Sequence, residues 1–261
     1  MPVLLITTCS PCCQDTQKSR GITKNNTCRP DALPEAIKGY SNQPPFLEKA
    51  QARRTDIVML ITINPINPQA RLIEKVVDCL KSGGVIAYPT DTYYGIGCDI
   101  MNKKAIEKVY ALKKRDKNKP FSFICSDLKH INDFAKVTNS AYRTLKRCLP
   151  GPYTFILEGT KLVPKIMLTK RRTAGIRVPD NLICMAIIQA LGNPIISTSA
   201  TLLGDEPMPD AWMIEESFPT QIDMVIDGGP VPNKPSSVIS LMNDEPEILR
   251  EGAGPVDYFK I

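Results

Sequence analysis

The sequence has one histidine and one tryptophan in 261 residues, and aromatic residues make up only 6% of it. A single histidine, His130, excludes His-rich metal sites and leaves a Ser-His-Asp triad little to work with. So few aromatics provide no base-stacking platform for RNA. No apolar run approaches the ~20 residues of a membrane-spanning helix, so we expect no membrane association. A secretory signal is also missing, because the apolar run Val3–Ile6 is short and no basic residue precedes it. Cysteines number nine, an odd count. Cys79, Cys98, Cys125, Cys148 and Cys184 lie scattered among apolar neighbours with no paired spacing. The expectation is therefore free thiols in a reducing, cytoplasmic compartment. Cys9 and Cys12 form a C-x2-C pair without a second pair or a nearby histidine, which points to an unstructured segment rather than a zinc site.

What is present is the balance of a globular protein with a core: 43% hydrophobic and 23% charged residues. Lys and Arg exceed Asp and Glu by 33 to 27, a net charge of +6. This mild excess suits anionic ligands without establishing nucleic-acid binding. Residues 1–58 differ from the rest. They lack helical periodicity, carry six prolines and hold eight basic against five acidic residues. We expect a disordered extension there, with a transit-like segment (and an organellar location) or a translation start at Met59 as alternatives. Residues 59–261 are expected to form the folded domain.

Within that domain, strand and helix signals alternate early, and strands pair up late. Leu60–Ile63 is a predicted strand. Asn67–Pro68 reads as N-cap and first helical residue of a helix whose face is Leu72, Ile73, Val76, Val77 and Leu80, stopped by Gly83-Gly84. Further strands are expected at 85–88, 121–125, 153–158, 173–178, 195–198, 224–227, 237–241 and 247–250, with helices at 103–114 and 140–149 and one that Asn181 caps and Gly192 closes. The fold class is mixed α/β, in the α+β sense: an open mixed sheet covered by helices.

Four polar clusters stand at strand ends, where loops carry function. Pro89-Thr90-Asp91-Thr92-Tyr93-Tyr94-Gly95 presents hydroxyls, a carboxylate and backbone N–H groups for a small polar ligand such as an amino acid. An ordinary Asp/Thr turn satisfying its own backbone gives the same pattern. Lys113-Lys114-Arg115 with Lys119-Pro120 reads either as a polyphosphate clamp, since forked Arg and mobile Lys donors match phosphate oxygens, or as a solvated basic helix end. Ser197-Thr198-Ser199 offers uncharged donors to phosphate or carboxylate, or forms a plain Ser/Thr turn. Pro235-Ser236-Ser237 and Leu249-Arg250-Glu251-Gly252 complete the set, with strand ends and a surface arginine as the simpler reading. Two tempting motifs fail. Gly228-Gly229 through Lys234 has the wrong lysine spacing and too many prolines for a phosphate loop. Gly95-Ile96-Gly97 lacks the third glycine of a dinucleotide fingerprint.

Together, and in order, these segments resemble the YrdC-like proteins, the threonylcarbamoyl-AMP synthases. The resemblance runs through Pro89–Gly95, Lys113-x-Arg115, Lys119-Pro120, Gly151-Pro152-x-Thr154, Ile176-Arg177-Val178-Pro179, Ser197–Ala200, Pro235–Ile239 and Leu249-Arg250-x-Gly252. It implies an open mixed sheet with a concave basic cavity. It also implies condensation of L-threonine, bicarbonate and ATP, with Mg²⁺, to threonylcarbamoyl-AMP and pyrophosphate, the product feeding a threonylcarbamoyl-transferase complex that modifies tRNA. Carried onto this chain, Thr92 and Ser236 contact threonine, with Ser197 lying between the two ligands. Arg177 pairs with a carboxylate or phosphate. Lys113 and Arg115 hold the ATP phosphates, and Lys119, Thr154, Ser199 and Arg250 line the nucleotide side. Two positions depart from that pattern. Thr201 stands where the synthases have the asparagine of S-x-N, and Ile124 replaces a histidine often found past K-x-R. The segments Asn64–Ile73 and Gly159–Pro164 look closer to the YciO-like branch. A YciO-like protein that holds tRNA or double-stranded RNA in the basic concavity without synthesis is thus the alternative, and a relative that hydrolyses ATP or an adenylate is a third.

Overall fold

The structure, a computed structural model, describes residues 58–116, 119–201, 206–243 and 245–260. The expectations for 1–57, including the Cys9–Cys12 pair and the transit-like stretch, lie outside the described residues. In chain order these hold β1 (Met59–Thr62), α1 (Ala70–Lys81), β2 (Ile86–Tyr88), β3 (Gly95–Gly97), α2 (Lys103–Leu112), β4 (Ser122–Ile124), α3 (Leu128–Phe134), β5 (Ala135–Lys136) and α4 (Asn139–Cys148). They continue with β6 (Tyr153–Gly159), β7 (Thr173–Arg177), α5 (Leu182–Leu191), β8 (Ile195–Ser199), α6 (Ala211–Ser217), β9 (Met224–Asp227), β10 (Ser237–Ser240) and β11 (Glu247–Arg250).

The strands join in one open sheet ordered β1-β9-β2-β3-β8-β4-β7-β6-β10-β11, with β5 paired to β6 off that path. It is mixed, as expected. β1–β9, β2–β9, β4–β7 and β6–β10 run parallel, whereas β2–β3, β3–β8, β4–β8, β6–β7 and β10–β11 run antiparallel.

The period of two along the strands sorts side chains onto opposite faces. In one half of the sheet both faces are apolar. Ile86, Tyr88, Met224, Ile226 and Ile195 pack under α1 and α5 with Ile73, Val76, Val77, Leu80, Ile183, Ile187 and Ile188. Their alternating neighbours Ala87, Val225 and Ile196 belong to the other core layer. In β6, β7 and β10, one set packs into the core: Phe155, Leu157, Ala174, Ile176 and Ile239 are buried in that layer. The opposite face of these strands carries Thr154, Gly175, Arg177, Ser236 and Val238, and it is the face that holds the cavity described below.

Helix ends follow local chemistry. Asn102, Asp127, Thr138 and Asn181 accept backbone N–H groups of α2, α3, α4 and α5 through their side chains. Gly83 and Gly192, at φ +83° and +78°, reverse the chain after α1 and α5. The expected cap at Asn67–Pro68 is corrected. The helix starts at Ala70, because Asn64 closes its own turn by accepting from the N–H groups of Ile66 (2.9 Å) and Asn67 (3.0 Å). The helix expected to reach residue 114 ends at Leu112 in a Schellman motif. There the Arg115 N–H donates to the Tyr110 carbonyl and the Lys114 N–H to that of Ala111, with Lys114 at φ +44°. Helices α3 and α6, two turns each, and the strands β3 and β5 had no expected counterpart.

β3 sits between β2 and β8, and its glycines permit that approach. A Cβ on Gly97 would collide with the Ile196 carbonyl oxygen and press on the Ile195 side chain. Gly97→Ala is therefore expected to lower unfolding stability by about 2–3 kcal/mol in urea titration. A change under ~0.5 kcal/mol, the ordinary scatter of surface substitutions, would mean that β3 is not held against β8.

Candidate functional site

The turn after β2 is built from its own polar side chains. Thr90 Oγ1 donates to the Tyr93 carbonyl at 2.6 Å, the Thr92 N–H donates to Thr90 Oγ1 at 3.1 Å, and the two threonine hydroxyls lie 3.0 Å apart. The turn is then tied to the sheet by Arg177 at the end of β7. Its Nη2 donates to Asp91 Oδ1 at 2.7 Å and to Thr92 Oγ1 at 2.9 Å, and both members of this ion pair are buried. The Asp180 N–H donates to Asp91 Oδ2 at 3.2 Å. Burial pushes the Asp91 carboxyl up from its ordinary value, and the Arg177 guanidinium pulls against that shift. Arg177 keeps one buried group, Nε, without a hydrogen-bond partner. Buried donors are otherwise paired, so this N–H is available to an acceptor from outside the chain.

A cavity of about 360 Å³ opens beside Arg177 and Thr92, a size in the range of small-molecule sites. Thr92, Arg115, Thr154, Arg177, Ser197, Ser199, Ser236 and Arg250 all line it, so most of the sequence-derived candidates converge. Thr154 and Ser236 share a hydrogen bond at 2.8 Å, and Arg250 donates to the Ser236 carbonyl through Nε (3.1 Å) and Nη2 (2.8 Å). Residues expected on the threonine side and on the nucleotide side thus form one connected cluster. Burial lowers the Arg250 pKa from its ordinary value. Arg115 braces its own loop, donating from Nε to the Lys119 carbonyl at 2.8 Å and lying 4.8 Å over the Phe121 ring.

Lys113 and Lys119 do not line the cavity. Lys119 is exposed. Lys113 points to the end of β8, where its ammonium donates to the Thr201 carbonyl (2.6 Å), Thr201 Oγ1 (2.7 Å) and the Ser199 carbonyl (3.2 Å). Three donors meet three acceptors. Burial, and then the neighbouring Arg115, lower its pKa to about 8. Ser122, Thr169, Thr173 and Gly175 are among the lining residues that belong to none of the sequence-derived clusters. Thr173 and Gly175 precede Arg177 at spacings of two, so strand alternation alone could have found them.

A family model for Sua5, YciO and YrdC, described as "Telomere recombination", matches residues 78–252. The chain belongs to the Sua5/YciO/YrdC family. It is 43% identical to YciO of Escherichia coli K12 over 199 residues, 76% of this chain and 97% of that one. It is 32% identical to the threonylcarbamoyl-AMP synthase of Coxiella burnetii over 181 residues, 68% of this chain and 96% of that one. Among solved structures it resembles E. coli YciO at TM-score 0.74 with 42% identity, covering 78% of this chain and 100% of that one. It resembles P. abyssi Sua5 complexed with L-threonine at TM-score 0.73 with 26% identity, covering 78% of this chain and 60% of that one. Among the described residues of this Sua5/YciO/YrdC family member, no helix is long and apolar enough to cross a membrane.

Removing one partner of a buried ion pair strands the other. Asp91→Ala should therefore cost about 3–5 kcal/mol of stability in denaturant titration. A loss below ~1 kcal/mol would show that Arg177 is held by Thr92 alone.

Proposed function

We propose that this chain is a threonylcarbamoyl-AMP synthase, condensing L-threonine, bicarbonate and ATP to threonylcarbamoyl-AMP and pyrophosphate. The observation that carries the proposal is the convergence of Thr92, Arg177 and Ser236 with Arg115, Thr154, Ser199 and Arg250 around one cavity. The Sua5 relative solved with L-threonine adds support at the level of the family.

On this reading the amino-acid carboxylate takes the open Nε–H of Arg177, and the hydroxyls of Thr92 and Ser236 orient the remainder. The threonine amine and bicarbonate combine to a carbamate with loss of water. A carbamate oxygen then attacks the α-phosphorus as the bond to pyrophosphate breaks. Arg115 and Lys113 stabilise the charge that collects on the departing pyrophosphate, a role worth ~10²-fold or more in rate for one well-placed donor. For Lys113 this requires phosphate oxygens to replace the acceptors that Thr201 supplies. The cavity lining holds no carboxylate, imidazole or thiolate, and among the described residues no group of three such side chains could hold a metal ion. Mg²⁺ therefore enters this scheme as part of the Mg-ATP substrate, and no step is assigned to a protein-held ion. The product would pass to a threonylcarbamoyl-transferase complex acting on tRNA, in a cytoplasmic setting.

One observation favours a second reading. With all three Lys113 donors engaged by Thr201 and Ser199, the chain would be a YciO-like protein that binds tRNA or double-stranded RNA without synthesis. RNA held through phosphates dissociates steeply as salt rises, whereas threonine binding responds little.

The direct test incubates the full chain with Mg-ATP, bicarbonate and L-threonine and detects threonylcarbamoyl-AMP by mass spectrometry, with serine and no-amino-acid controls. A threonine-dependent adduct with equimolar pyrophosphate is expected, and intact ATP with a folded sample would overturn the proposal. Two variants refine it. Lys113→Ala should cut turnover by ~10²-fold or more, and Thr201→Asn should raise it. Lys113 is protonated below about pH 8 and loses its charge above, so ATP affinity should fall as pH rises through that value. Lys113→Arg should move the fall to higher pH. An affinity flat between pH 7 and 9.5 would remove Lys113 from the phosphate site.

A further inference from the structure

The segment leading into β7 reverses tightly at Thr169-Lys170-Arg171-Arg172-Thr173. The Thr169 N–H donates to the Thr173 carbonyl (3.1 Å) and the Arg172 N–H to the Thr169 carbonyl (2.9 Å). The Thr173 N–H donates to Thr169 Oγ1 (3.1 Å), and the two threonine hydroxyls lie 2.7 Å apart. The turn closes on its own backbone and hydroxyls, so its three cations contribute nothing to closing it. Lys170, Arg171 and Arg172 are exposed, and among the described residues none of their side chains is in a hydrogen bond or ion pair. The carboxylate opposite Thr173 in register, Glu158, is already paired with Lys136 at 2.6 Å.

Both feet of this turn, Thr169 and Thr173, line the cavity, so the turn carries its three consecutive uncompensated cations next to the cavity, outside the lining itself. The cations further in are in a different state. Arg177 is neutralised by Asp91, Arg250 holds the Ser236 carbonyl, Arg115 holds the Lys119 carbonyl and Lys113 is shared between Thr201 and Ser199. A ligand with several negative charges needs cations that are not already committed.

We infer that the Lys170–Arg172 turn is a diphosphate subsite at the cavity mouth, gripping the outer two phosphates of a nucleoside triphosphate seated inside and the pyrophosphate once it is released. This inference rests on the nucleotide reading of the cavity. It adds an element that none of the sequence motifs contained, and it assigns outer-phosphate recognition to exposed, mobile donors rather than to Lys113 alone. The α-phosphate and nucleoside remain with the residues inside.

The test compares inorganic pyrophosphate, ATP and AMP on the full chain by titration calorimetry at fixed salt. The variant Lys170→Gln/Arg171→Gln/Arg172→Asn is suitable because asparagine tolerates the left-handed φ of +59° at residue 172. Pyrophosphate and ATP should weaken by roughly tenfold, as expected for three exposed charge contacts, while AMP stays within about twofold. If the triple variant melts early, Arg171→Gln alone should weaken pyrophosphate by roughly threefold on the same scale. Unchanged pyrophosphate binding overturns the inference, and so does an equal loss for AMP, which would mark a general field effect. Loss of tRNA binding with pyrophosphate intact also overturns it and assigns the turn to a nucleic-acid face. A wild-type chain that binds pyrophosphate through this turn but neither ATP nor AMP would keep the subsite and overturn the nucleotide reading instead.

Discussion

Strand alternation is the constraint on which everything else depends. In β6, β7 and β10 each of these cavity-floor residues is a sequence neighbour of a buried apolar one: Thr154 of Phe155, Gly175 of Ile176, and Val238 of Ile239. The side-chain period of a strand is two, so a slip of one residue would send threonines into the core and Phe155 into the cavity. The burial of a handful of large side chains therefore fixes the register of the polar surface. β6, β7 and β10 bury one face in the core, and their other face lines the cavity.

Around that floor the structure sets the guanidinium groups of Arg115, Arg177 and Arg250, with the Lys113 ammonium outside the lining, and each is tied to the chain. Arg177 joins the turn after β2 to β7 through Asp91 and Thr92. Arg250 and Ser236 join β11 to the segment before β10, and Lys113 joins the end of α2 to the end of β8. Pre-positioned cations of this kind lose little entropy when an anion arrives. Their cost is that each must trade a protein acceptor for a ligand. For Lys113 the trade is largest, because Thr201 supplies two of its three acceptors. The proposed synthase reading requires that exchange, and the YciO-like reading does not.

Much of this was legible beforehand. The helix of Ile73, Val76, Val77 and Leu80, the cap at Asn181 and the strands at 224–227 and 247–250 follow from periodicity and turn chemistry alone. The site clusters could be found because each sits where a strand or, for Lys113–Arg115, a helix gives way to hydroxyls and charges. What stayed hidden has physical reasons. Helices of two turns, as in α3 and α6, are too short to show a period. Gly95–Gly97 carries no strand signal because glycine has little strand propensity, and the close pass of β8 that calls for Gly97 is visible only in the fold. The Asp91–Arg177 pair joins residues 86 apart in sequence, and no local pattern encodes it. Thr173 and Gly175 were missed by attending to motifs where alternation would have served.

The most direct test of the account is a crystal structure of the full chain grown with L-threonine, bicarbonate and a non-hydrolysable ATP analogue. The account expects an amino-acid carboxylate on Arg177 Nε, its remainder between Thr92 and Ser236, and phosphates beside Arg115 with the Lys113 ammonium drawn off Thr201. Ligand bound away from the β6, β7 and β10 surface would contradict it, as would an empty cavity in crystals that hold the analogue elsewhere.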